Sequence, residues 1–589
     1  MSESRKTLVN AALGRIPPDL VIAGGNVVNV YTREVYASDV IVKGQRIAAV
    51  TDGQYEVGDE TRVVRADGQY LVPGFIDPHM HLESSCVTAT EFAKAILPRG
   101  VTTVAWDAHD LASILGFRGI ALLFDEARNL PLKIFLRVPA RVPQSEDLET
   151  SGAALTLEET KQMLHWEAAV SLAGDLPSHL VLECDEDYLN KIAYAIELGK
   201  TVNGASHLLW GRELDAFVAA GIEDTHIPKD TDELIEDVRH GLHVLLTPRT
   251  TKFGPSEFGR FARLLGGQNL DTRNVSFCTD DVWPHELETQ GHLDHRVRLA
   301  ISQGIDPMVA IQMATLNTAQ LLRLERDLGS ISAGKIADIA VVDDLRSVCA
   351  DKVVARGALV AEGGKMVLDL PQFTYPDWSK ATVRLARRVV AEDFQIRVEA
   401  KHGEAKARVM VNAYPRECAV ETLAVREGVV LPDTSRDILG IAVVERHKRT
   451  GNIGKAFAKG FGVQEGAVAA SIEHNAGNIV VIGTGCNDMA VAVNRLADIG
   501  GGYVAAKGGK VVGEIPLPIA GMLSSQPYAV VAQEFVAFDR VLKEELGCRI
   551  DRPLWTLVFF CIPSGPHVGL TDRGLVNTDT MTFQDVIVA

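Results

Sequence analysis

The middle of the chain, residues 73–330, alternates short apolar runs with amphipathic helical stretches. Eight runs occur, from GFIDPHMH and VTTVAWDAHD to NVSFCTDD, and helical stretches such as YLNKIAYAIELG separate several of them. Repeated strand–helix units predict parallel strands joined by helical crossovers. Eight units in about 260 residues predict a (β/α)8 TIM-like barrel. A doubly wound open sheet is the alternative, but no GxGxxG stretch follows a strand here.

Strand-rich segments lie on both sides of this barrel section. Residues 1–72 and 331–378 contain short stretches that alternate apolar and polar side chains and are broken by glycine-rich turns. Because both segments share this strand pattern, we predict one small β-sandwich domain assembled from the two of them. Residues 379–589 mix strand patterns such as GNIVVIGTG with helical patterns such as DMAVAVNRLADIG, which predicts a C-terminal α+β domain. The chain is therefore assigned to the α/β class.

Charge and cysteine usage limit the class of partner. The chain has 59 Lys and Arg against 77 Asp and Glu, a formal charge of −18, which argues against nucleic acid as a partner. The eight cysteines include no CxxC pair, which favours a reducing compartment. The sequence shows neither a signal-peptide pattern nor an apolar run of membrane-spanning length. We therefore expect a cytoplasmic homo-oligomer, a dimer, that acts on a small molecule without a membrane partner.

Polar side chains follow nearly every one of the eight apolar runs. Active sites of barrels lie at the carboxyl ends of the strands, so side chains at these positions converge on one place. The residues at or just past the run ends are His79, His81, Asp107, His109, Asp175, His207, Asp224, His226, Asp280 and Asp281. The sequence therefore predicts a single polar site at one rim of the barrel.

The first run ends in two histidines that are two positions apart. Side chains at this spacing on a strand point the same way, so the two imidazoles make half of a metal site. Taken alone, such a pair is also common among surface or hydrogen-bonded histidines. Histidines and carboxylates after later runs complete a ligand set that suits Mn²⁺, Fe²⁺ or Zn²⁺ without choosing among them. The candidate metal ligands are His79, His81, Asp175, His207, His226 and Asp280.

Several stretches resemble the amidohydrolase superfamily, in which HxH follows the first barrel strand and Asp follows the eighth. VPGFIDPHMHLESS, GVTTVAWDAHD and FCTDDVWPHEL are similar to motifs of its adenine deaminase branch. DMAVAVNRLADIGGGYV and EIPLPIAGM in the C-terminal segment match that branch again. The resemblance implies metal-dependent hydrolytic deamination of adenine to hypoxanthine and ammonia. It also implies two divalent ions, with Mn²⁺ as first choice and Fe²⁺ or Zn²⁺ as alternatives.

The chain departs from that branch at several positions. The bridging glutamate expected after the fourth strand aligns with Asp175, and the histidine expected after the fifth aligns with Ala205, two positions before His207. Ile227 replaces an acid after the sixth strand, and EHNAGN (residues 473–478) keeps one of the two histidines in the branch's AHDSHN. Two rivals therefore stay open: an amidohydrolase acting on another aminopurine or a cyclic amide, and a purine-binding homologue with weakened catalysis.

Three residues are predicted to be catalytic. By resemblance Asp280 is a metal ligand, and it is also placed to take a proton from the attacking water and pass it to the departing amine. His109 would polarise the substrate or assist proton transfer, with a buried hydrogen-bonded histidine as the alternative. Glu83 follows the two histidines of the first run and is predicted to contact purine nitrogens.

The predicted substrate-binding residues are Glu83, Ser85 and Asp281. Ser84 and Ser85 suit two roles equally, because a serine before a helix also satisfies free backbone N–H groups. Asp281 has a structural hydrogen-bond acceptor as its alternative role.

Overall fold

The structure is a computed structural model. It describes residues 4–52, 55–143, 145–174, 178–226, 228–247, 259–264, 271–413, 416–563, 565 and 567–588. The helices are Arg5–Ala12, Ala89–Ile96, His109–Ala127, Leu157–Leu164, Ser178–Leu182, Glu186–Glu197, Arg212–Ala219, Thr231–Arg239, Pro284–Thr289, Leu293–Ser302, Pro307–Met313, Leu316–Leu321, Cys486–Asp498, Tyr528–Glu544 and Pro553–Phe560. Short 3₁₀ turns are Leu82–Ser85, Leu97–Arg99, Thr272–Asn274, Asp377–Ser379, Ala391–Phe394 and Thr434–Arg436.

The strands are numbered in chain order. Before the barrel they are β1 (Leu20–Asn29), β2 (Glu34–Lys43), β3 (Arg46–Thr51), β4 (Arg62–Arg65) and β5 (Tyr70–Pro73). The barrel strands are β6 (Phe75–Met80), β7 (Val101–Asp107), β8 (Lys133–Pro139), β9 (Ala169–Ala173), β10 (Thr201–Val202), β11 (Asp224–Thr225), β12 (His243–Leu246) and β13 (Val275–Phe277). After the barrel come β14 (Ile339–Val342), β15 (Ala350–Ala355), β16 (Ala358–Glu362) and β17 (Lys365–Met366).

The C-terminal strands are β18 (Ile396–Arg397), β19 (His402–Val411), β20 (Glu417–Arg426), β21 (Val429–Val430), β22 (Ile438–Val444), β23 (Ile453–Lys459), β24 (Ala467–Ala470), β25 (Ile479–Gly483), β26 (Gly502–Lys507), β27 (Lys510–Pro516), β28 (Val568–Thr571), β29 (Gly574–Asn577), β30 (Thr582–Phe583) and β31 (Ile587–Val588).

Eight parallel strands make up the barrel, and each of the eight apolar runs contains one of them. β6 to β10 pair as a five-stranded sheet and β11 to β13 as a three-stranded sheet. Two parallel bridges join the sheets, Asn203 with Asp224 and Met80 with Asp280. The predicted fold class is confirmed, and the doubly wound alternative is wrong because the strand order closes at both seams.

Burial explains why the barrel strands are continuous apolar runs. Every residue of β6, β7 and β9 is buried, as expected for parallel strands covered by helices on their outer face. Several helices begin where a short polar side chain accepts hydrogen bonds from first-turn N–H groups. Such caps are Thr156, Asp185, Asp230 and Asp306. Caps and apolar runs together set the alternation of strand and helix.

The two flanking segments share one nine-stranded sheet. β14 pairs antiparallel with β5, so that Ile339 lies opposite Pro73. Ile47 of β3 and Leu359 of β16 belong to the same buried apolar cluster, although these strands lie near opposite ends of the strand order. The sheet therefore folds over a common core, which agrees with the predicted β-sandwich. The boundaries at residues 72, 330 and 378 stay a prediction.

The C-terminal unit is built on an 11-stranded sheet with a separate three-stranded sheet, β28 to β30. It shares the barrel's hydrophobic core, because Trp106 and Tyr503 belong to one buried cluster. Hydrogen bonds also cross the junction, from Asn478 Nδ2 to the Thr150 carbonyl (2.9 Å) and from the Thr150 N–H to Asp572 Oδ1 (2.8 Å). This unit therefore packs directly on the barrel. Within the described ranges, no helix combines the length and apolarity needed to cross a bilayer.

Candidate active site at the barrel mouth

Three residues from distant parts of the chain form a compact ligand group. Ligand atoms of His79, His226 and Asp280 all lie within 4.8 Å of one another. They come from the carboxyl ends of β6, β11 and β13, where sequence reasoning expected a shared site. His79 Nε2 lies 3.7 Å from Asp280 Oδ1, and the rings of His79 and His226 stack with centroids 4.0 Å apart.

The backbone of Asp280 is held in an unusual conformation. Its φ is +60°, in the left-handed region that residues other than glycine rarely adopt. Two hydrogen bonds secure it at the seam: its N–H donates to the His79 carbonyl (3.1 Å), and its carbonyl accepts from the His81 N–H (2.9 Å). Strained positions of this kind cluster at functional sites. The seam therefore aims the Asp280 carboxylate at the histidines of β6.

The protonation states of His79 and Asp280 suit a metal ion. Within the part of the chain that the structure describes, neither ring nitrogen of buried His79 has a hydrogen-bond partner. Burial, with help from neighbouring His226 and His81, lowers the pKa of His79 well below its usual value. Burial alone would raise the pKa of Asp280, but its hydrogen bond to His81 and the nearby histidines hold it well below the usual range. A neutral imidazole and an ionised carboxylate are the forms that bind metals.

His81 lies beside this group with its ring fixed from behind. Its Nδ1 is 3.2 Å from the Asp107 carbonyl oxygen, which leaves Nε2 facing Asp280 Oδ1 at 3.5 Å. Burial lowers the pKa of His81, but Asp280, Asp281 and Asp107 outweigh it and raise the pKa well above the usual value. The surrounding carboxylates therefore stabilise positive charge on the His81 ring.

His109 has the buried, hydrogen-bonded position that the sequence named as its alternative, and its catalytic role stays a prediction. It is buried, and its Nδ1 is 3.0 Å from Asp107 Oδ1. Its Nε2 lies 3.4 Å from Asp110 Oδ1 and 3.3 Å from His474 Nε2. Burial lowers the pKa of His109, but Asp110 and Asp107 outweigh it and raise the pKa to about 9. Both ring nitrogens are thus hydrogen-bonded, Nδ1 within the barrel and Nε2 to the C-terminal unit.

Glu83 is completely buried on the 3₁₀ turn that follows β6. Its Oε2 accepts from Trp106 Nε1 (2.8 Å) and its Oε1 from the Leu111 N–H (3.0 Å). Burial and the charge of Asp110 raise the pKa of Glu83 to about 7. A carboxyl group with this pKa can hold or release a proton near neutral pH. Its catalytic and substrate-binding roles stay predictions.

The two serines after Glu83 do not cap the next helix. That helix, Ala89–Ile96, begins after Thr88. Ser84 Oγ instead donates to the carboxylate of Asp281, and Ser85 Oγ donates to the Leu82 carbonyl (2.6 Å). Asp281 therefore has the hydrogen-bonded role that the sequence named as its alternative. Purine contacts by Ser85 and Asp281 stay predictions.

Asp175 and His207 are the two remaining predicted metal ligands. Asp175, like Ile227, lies outside the described residues. His207 Nδ1 lies 3.5 Å from Glu233 Oε1, and the close ligand groups found among the described residues do not include it. Its metal role stays a prediction, while its contact with Glu233 links the loop after β10 to the helix Thr231–Arg239.

Sequence reasoning missed two residues that hold the strands leading to His79 and His226 in place. Arg137, fully buried on β8, donates through Nε to the Pro78 carbonyl and places Nη1 3.0 Å from Asp224 Oδ1. Asn203 Nδ2 donates to the same carboxylate oxygen at 2.7 Å. These bonds secure the backbone immediately before His79 and the strand that leads to His226. A charged residue inside an apolar run, as in KIFLRVP, was the signal that could have found Arg137.

His474 was also missed as a site residue. It lies in the EHNAGN segment of the C-terminal unit, 365 positions after His109, and its ring contacts those of His81 and His109 with centroids 5.3 and 4.8 Å apart. The single histidine kept in EHNAGN was the available signal. The site is therefore shared between the barrel and the C-terminal unit.

Replacing Trp106 by phenylalanine tests the role of Glu83. The change removes the N–H donor to Glu83 Oε2 and leaves a buried carboxyl group short of a partner, a cost of about 1–3 kcal/mol. We expect kcat to fall while the protein still folds. Trp166→Phe is the matched control, because both tryptophans pack against Phe124. Equal kcat values for the two variants would show that Glu83 needs no positioning by Trp106.

Comparison with known proteins identifies the family. The Amidohydrolase family matches residues 70–367, and the adenine deaminase C-terminal domain matches residues 415–582. A solved structure of a molinate hydrolase shows a weaker likeness, with a TM-score of 0.45 and 17% identity over 61% of this chain and 98% of that chain.

Curated relatives extend over the full length. The adenine deaminase of Moorella thermoacetica is 37% identical, covering 100% of this chain and 98% of its own. Adenine deaminase 3 of Rhizobium meliloti is 38% identical, covering 100% and 99%. The adenine deaminase of Mesorhizobium japonicum is 37% identical, covering 99% and 97%. The chain therefore belongs to the amidohydrolase family and, within it, to the adenine deaminases.

Proposed function

We propose that this protein hydrolyses adenine to hypoxanthine and ammonia with the help of bound divalent metal. The observation that carries the proposal is the convergence of His79, His226 and Asp280 at the carboxyl ends of three barrel strands. Full-length likeness to adenine deaminases supports adenine as the substrate. An ionised Asp280 held beside the neutral ring of His79 supports metal-assisted turnover over purine binding alone.

The residues present fit a divalent transition metal. His79, His226 and Asp280 would hold it, with His81 adjacent, because His79 has no hydrogen-bond partner among the described residues and the donors are imidazole and carboxylate. When bound, such a metal lowers the pKa of water and makes a nucleophile available near neutral pH. Mn²⁺ is our first choice, with Fe²⁺ or Zn²⁺ as alternatives, and we propose two ions per chain.

Side chains of the protein itself accept and deliver the protons of the reaction. Asp280 Oδ1, which lies 3.5 Å from His81 Nε2, accepts the proton of the attacking water and delivers it to the amine that leaves C6. The C6–O bond forms and the C6–N bond breaks, so adenine and water become hypoxanthine and ammonia. His109, with its pKa raised to about 9, exchanges its contact with His474 for a hydrogen bond donated to the substrate. Glu83, with a pKa of about 7, exchanges a proton with a ring nitrogen.

The C-terminal unit keeps bulk water from the reacting groups. The ring of His474 contacts that of Phe559 in a tilted arrangement, with centroids 4.7 Å apart, and both residues belong to this unit. Ring contacts of His474 with His81 and His109 support a covering role for this unit. Excluding water strengthens the electrostatic interactions of Asp280 and His109 with substrate.

A substrate panel tests the proposal. Mn²⁺-loaded protein is assayed for ammonia release from adenine, from 2,6-diaminopurine and guanine, and for ring opening of hydantoin. We expect adenine to have the highest kcat/KM. A higher value for another aminopurine or for hydantoin would assign the other substrate, and purine binding without turnover of any compound would overturn catalysis. Cytoplasmic location and the homodimeric state stay predictions.

A further inference from the structure

A cleft with an excess of positive charge lies in the C-terminal unit, apart from the active centre. It is bordered by β19 and β23 of the large sheet and by the segment from β29 to β31, and its volume is about 660 Å³. We call it the basic cleft. Small-molecule sites usually enclose roughly 300–1,000 Å³, so the basic cleft has the size of a ligand pocket. Its lining residues are Arg408, Lys455, Arg573, Gly574, Leu575 and 583–588.

Three cations line the basic cleft against a single carboxylate. The cations are Arg408, Lys455 and Arg573, and the carboxylate is that of Asp585. The chain as a whole has a formal charge of −18, so this local excess of positive charge runs against its overall balance. A concave surface lined by one sign of charge raises the local concentration of ions of the opposite sign. The basic cleft is therefore suited to an anion.

The two arginines keep donors free for such an anion. Arg408 Nη1 donates to the Asp585 carbonyl (2.6 Å), and Arg573 donates through Nη1 to the Asp147 carbonyl (2.9 Å) and through Nε to Thr150 Oγ1 (3.4 Å). All three acceptors are neutral. Across the described ranges neither guanidinium forms an ion pair, and both Nη2 groups lack an acceptor.

Lys455 is also short of a negative partner. Its Nζ donates to the Gln395 carbonyl (3.0 Å), which leaves two of its three donor positions free. Burial lowers the pKa of Lys455, and the charge of Asp393 opposes this shift. Asp393 already pairs with Arg387 at 2.6 Å, so it is a shared counter-charge. An anion in the basic cleft would supply the missing one.

Phe583 adds an aromatic face to the same cleft. It is 48% exposed, so its ring is open to a planar partner. Bases stack on such rings with little preference for their identity. Guanidinium groups bind phosphate oxygens through paired N–H donors, and a phosphate monoester has a charge of about −1.5 to −2 near neutral pH. A nucleoside monophosphate combines that charge with a planar base.

We propose that the basic cleft binds a nucleoside monophosphate. The phosphate contacts Arg408, Lys455 and Arg573, and the base stacks on Phe583. The basic cleft shares no residue with the site at the barrel mouth and needs no metal ion. The proposal therefore does not depend on the proposed function.

The test is a calorimetric titration of the metal-loaded full-length protein with AMP. The key variants are Arg408→Gln and Lys455→Met, which each remove one positive charge. We expect the parent to bind one AMP per chain at the basic cleft, and each variant to bind it about 10-fold more weakly or worse, since a hydrogen bond to a charged group contributes at least this much. Lys455→Met serves if Arg408→Gln does not fold.

Two further titrations test the nucleoside part of the ligand. Phe583→Leu removes the aromatic face and keeps an apolar side chain, so we expect AMP to bind at least about 5-fold more weakly. Inorganic phosphate, titrated into the parent, is expected to bind more weakly than AMP because it has no base to stack. Phosphate that binds as tightly as AMP, or unchanged AMP affinity in Phe583→Leu, would overturn the nucleotide assignment.

Arg426→Gln is the matched control for charge. Arg426 is an exposed residue of β20, which pairs with β19 in the same sheet, and it does not line the basic cleft. We expect this variant to bind AMP as the parent does. All variants are also assayed for ammonia release from adenine, and we expect unchanged kcat/KM because none of them alters the barrel mouth.

The titrations decide the proposal whether or not the protein deaminates adenine. Weaker AMP binding in Arg408→Gln and Lys455→Met, with Arg426→Gln unchanged, supports the basic cleft as the site. AMP affinity that is the same in the parent and both variants overturns it, since AMP then binds elsewhere. A parent that binds no AMP at millimolar concentration overturns it as well.

Discussion

Asp280→Asn is expected to lower kcat for adenine by about 10²–10⁴-fold, the usual contribution of positioned proton transfer. Asparagine fills the same volume and keeps the seam hydrogen bonds, which are made by the backbone. It cannot accept the water's proton, and it removes the negative charge beside His79 and His81. The measurement is ammonia release from adenine under saturating conditions, with metal content determined on the same sample.

Asp125→Asn is the matched control for this variant. Asp125 lies on the helix His109–Ala127, is 56% exposed and pairs only with Arg128 among the described residues, so its loss is expected to leave kcat unchanged. Exposed pairs of this kind contribute only about 0–1 kcal/mol. If Asp280→Asn turns over adenine as fast as Asp125→Asn, the proton-transfer role of Asp280 is wrong.

Removing bound metal is expected to abolish deamination and to lower the melting temperature. The loss of activity follows because no group of the chain replaces the metal in activating water. The loss of stability follows because a ligand present at 1,000 times its Kd stabilises the folded state by about 4 kcal/mol. Chelated and dialysed protein is assayed for ammonia release and by calorimetry, before and after Mn²⁺ is restored.

Re-addition of Ca²⁺ is the control for metal removal. Ca²⁺ prefers six to eight oxygen ligands, which a site containing His79 and His226 does not offer, so Ca²⁺ is expected to restore neither activity nor melting temperature. A metal-free sample that deaminates adenine at the parent's rate would contradict the role assigned to His79, His226 and Asp280.

Local sequence patterns were enough to predict the barrel and some of the residues at its mouth. Burial on both faces makes a parallel strand apolar throughout, so each barrel strand is visible as an apolar run. Parallel strands all end at one rim, so the polar residues after those runs are brought together by topology alone. His79, His81 and Asp280 can therefore be identified from the sequence as residues at strand ends.

The sequence by itself determined the alternation of strands and helices, and hence which residues end the strands, because strand and helix periods are local properties. Only the tertiary structure decided that Asp280 adopts a φ of +60°, that Arg137 pairs with Asp224, and that His474 reaches His109 from 365 positions away. These contacts depend on how the barrel seam closes and how the C-terminal unit packs on its mouth. Barrel closure and packing of the C-terminal unit leave no periodic pattern in the sequence, because both arise from contacts between whole surfaces.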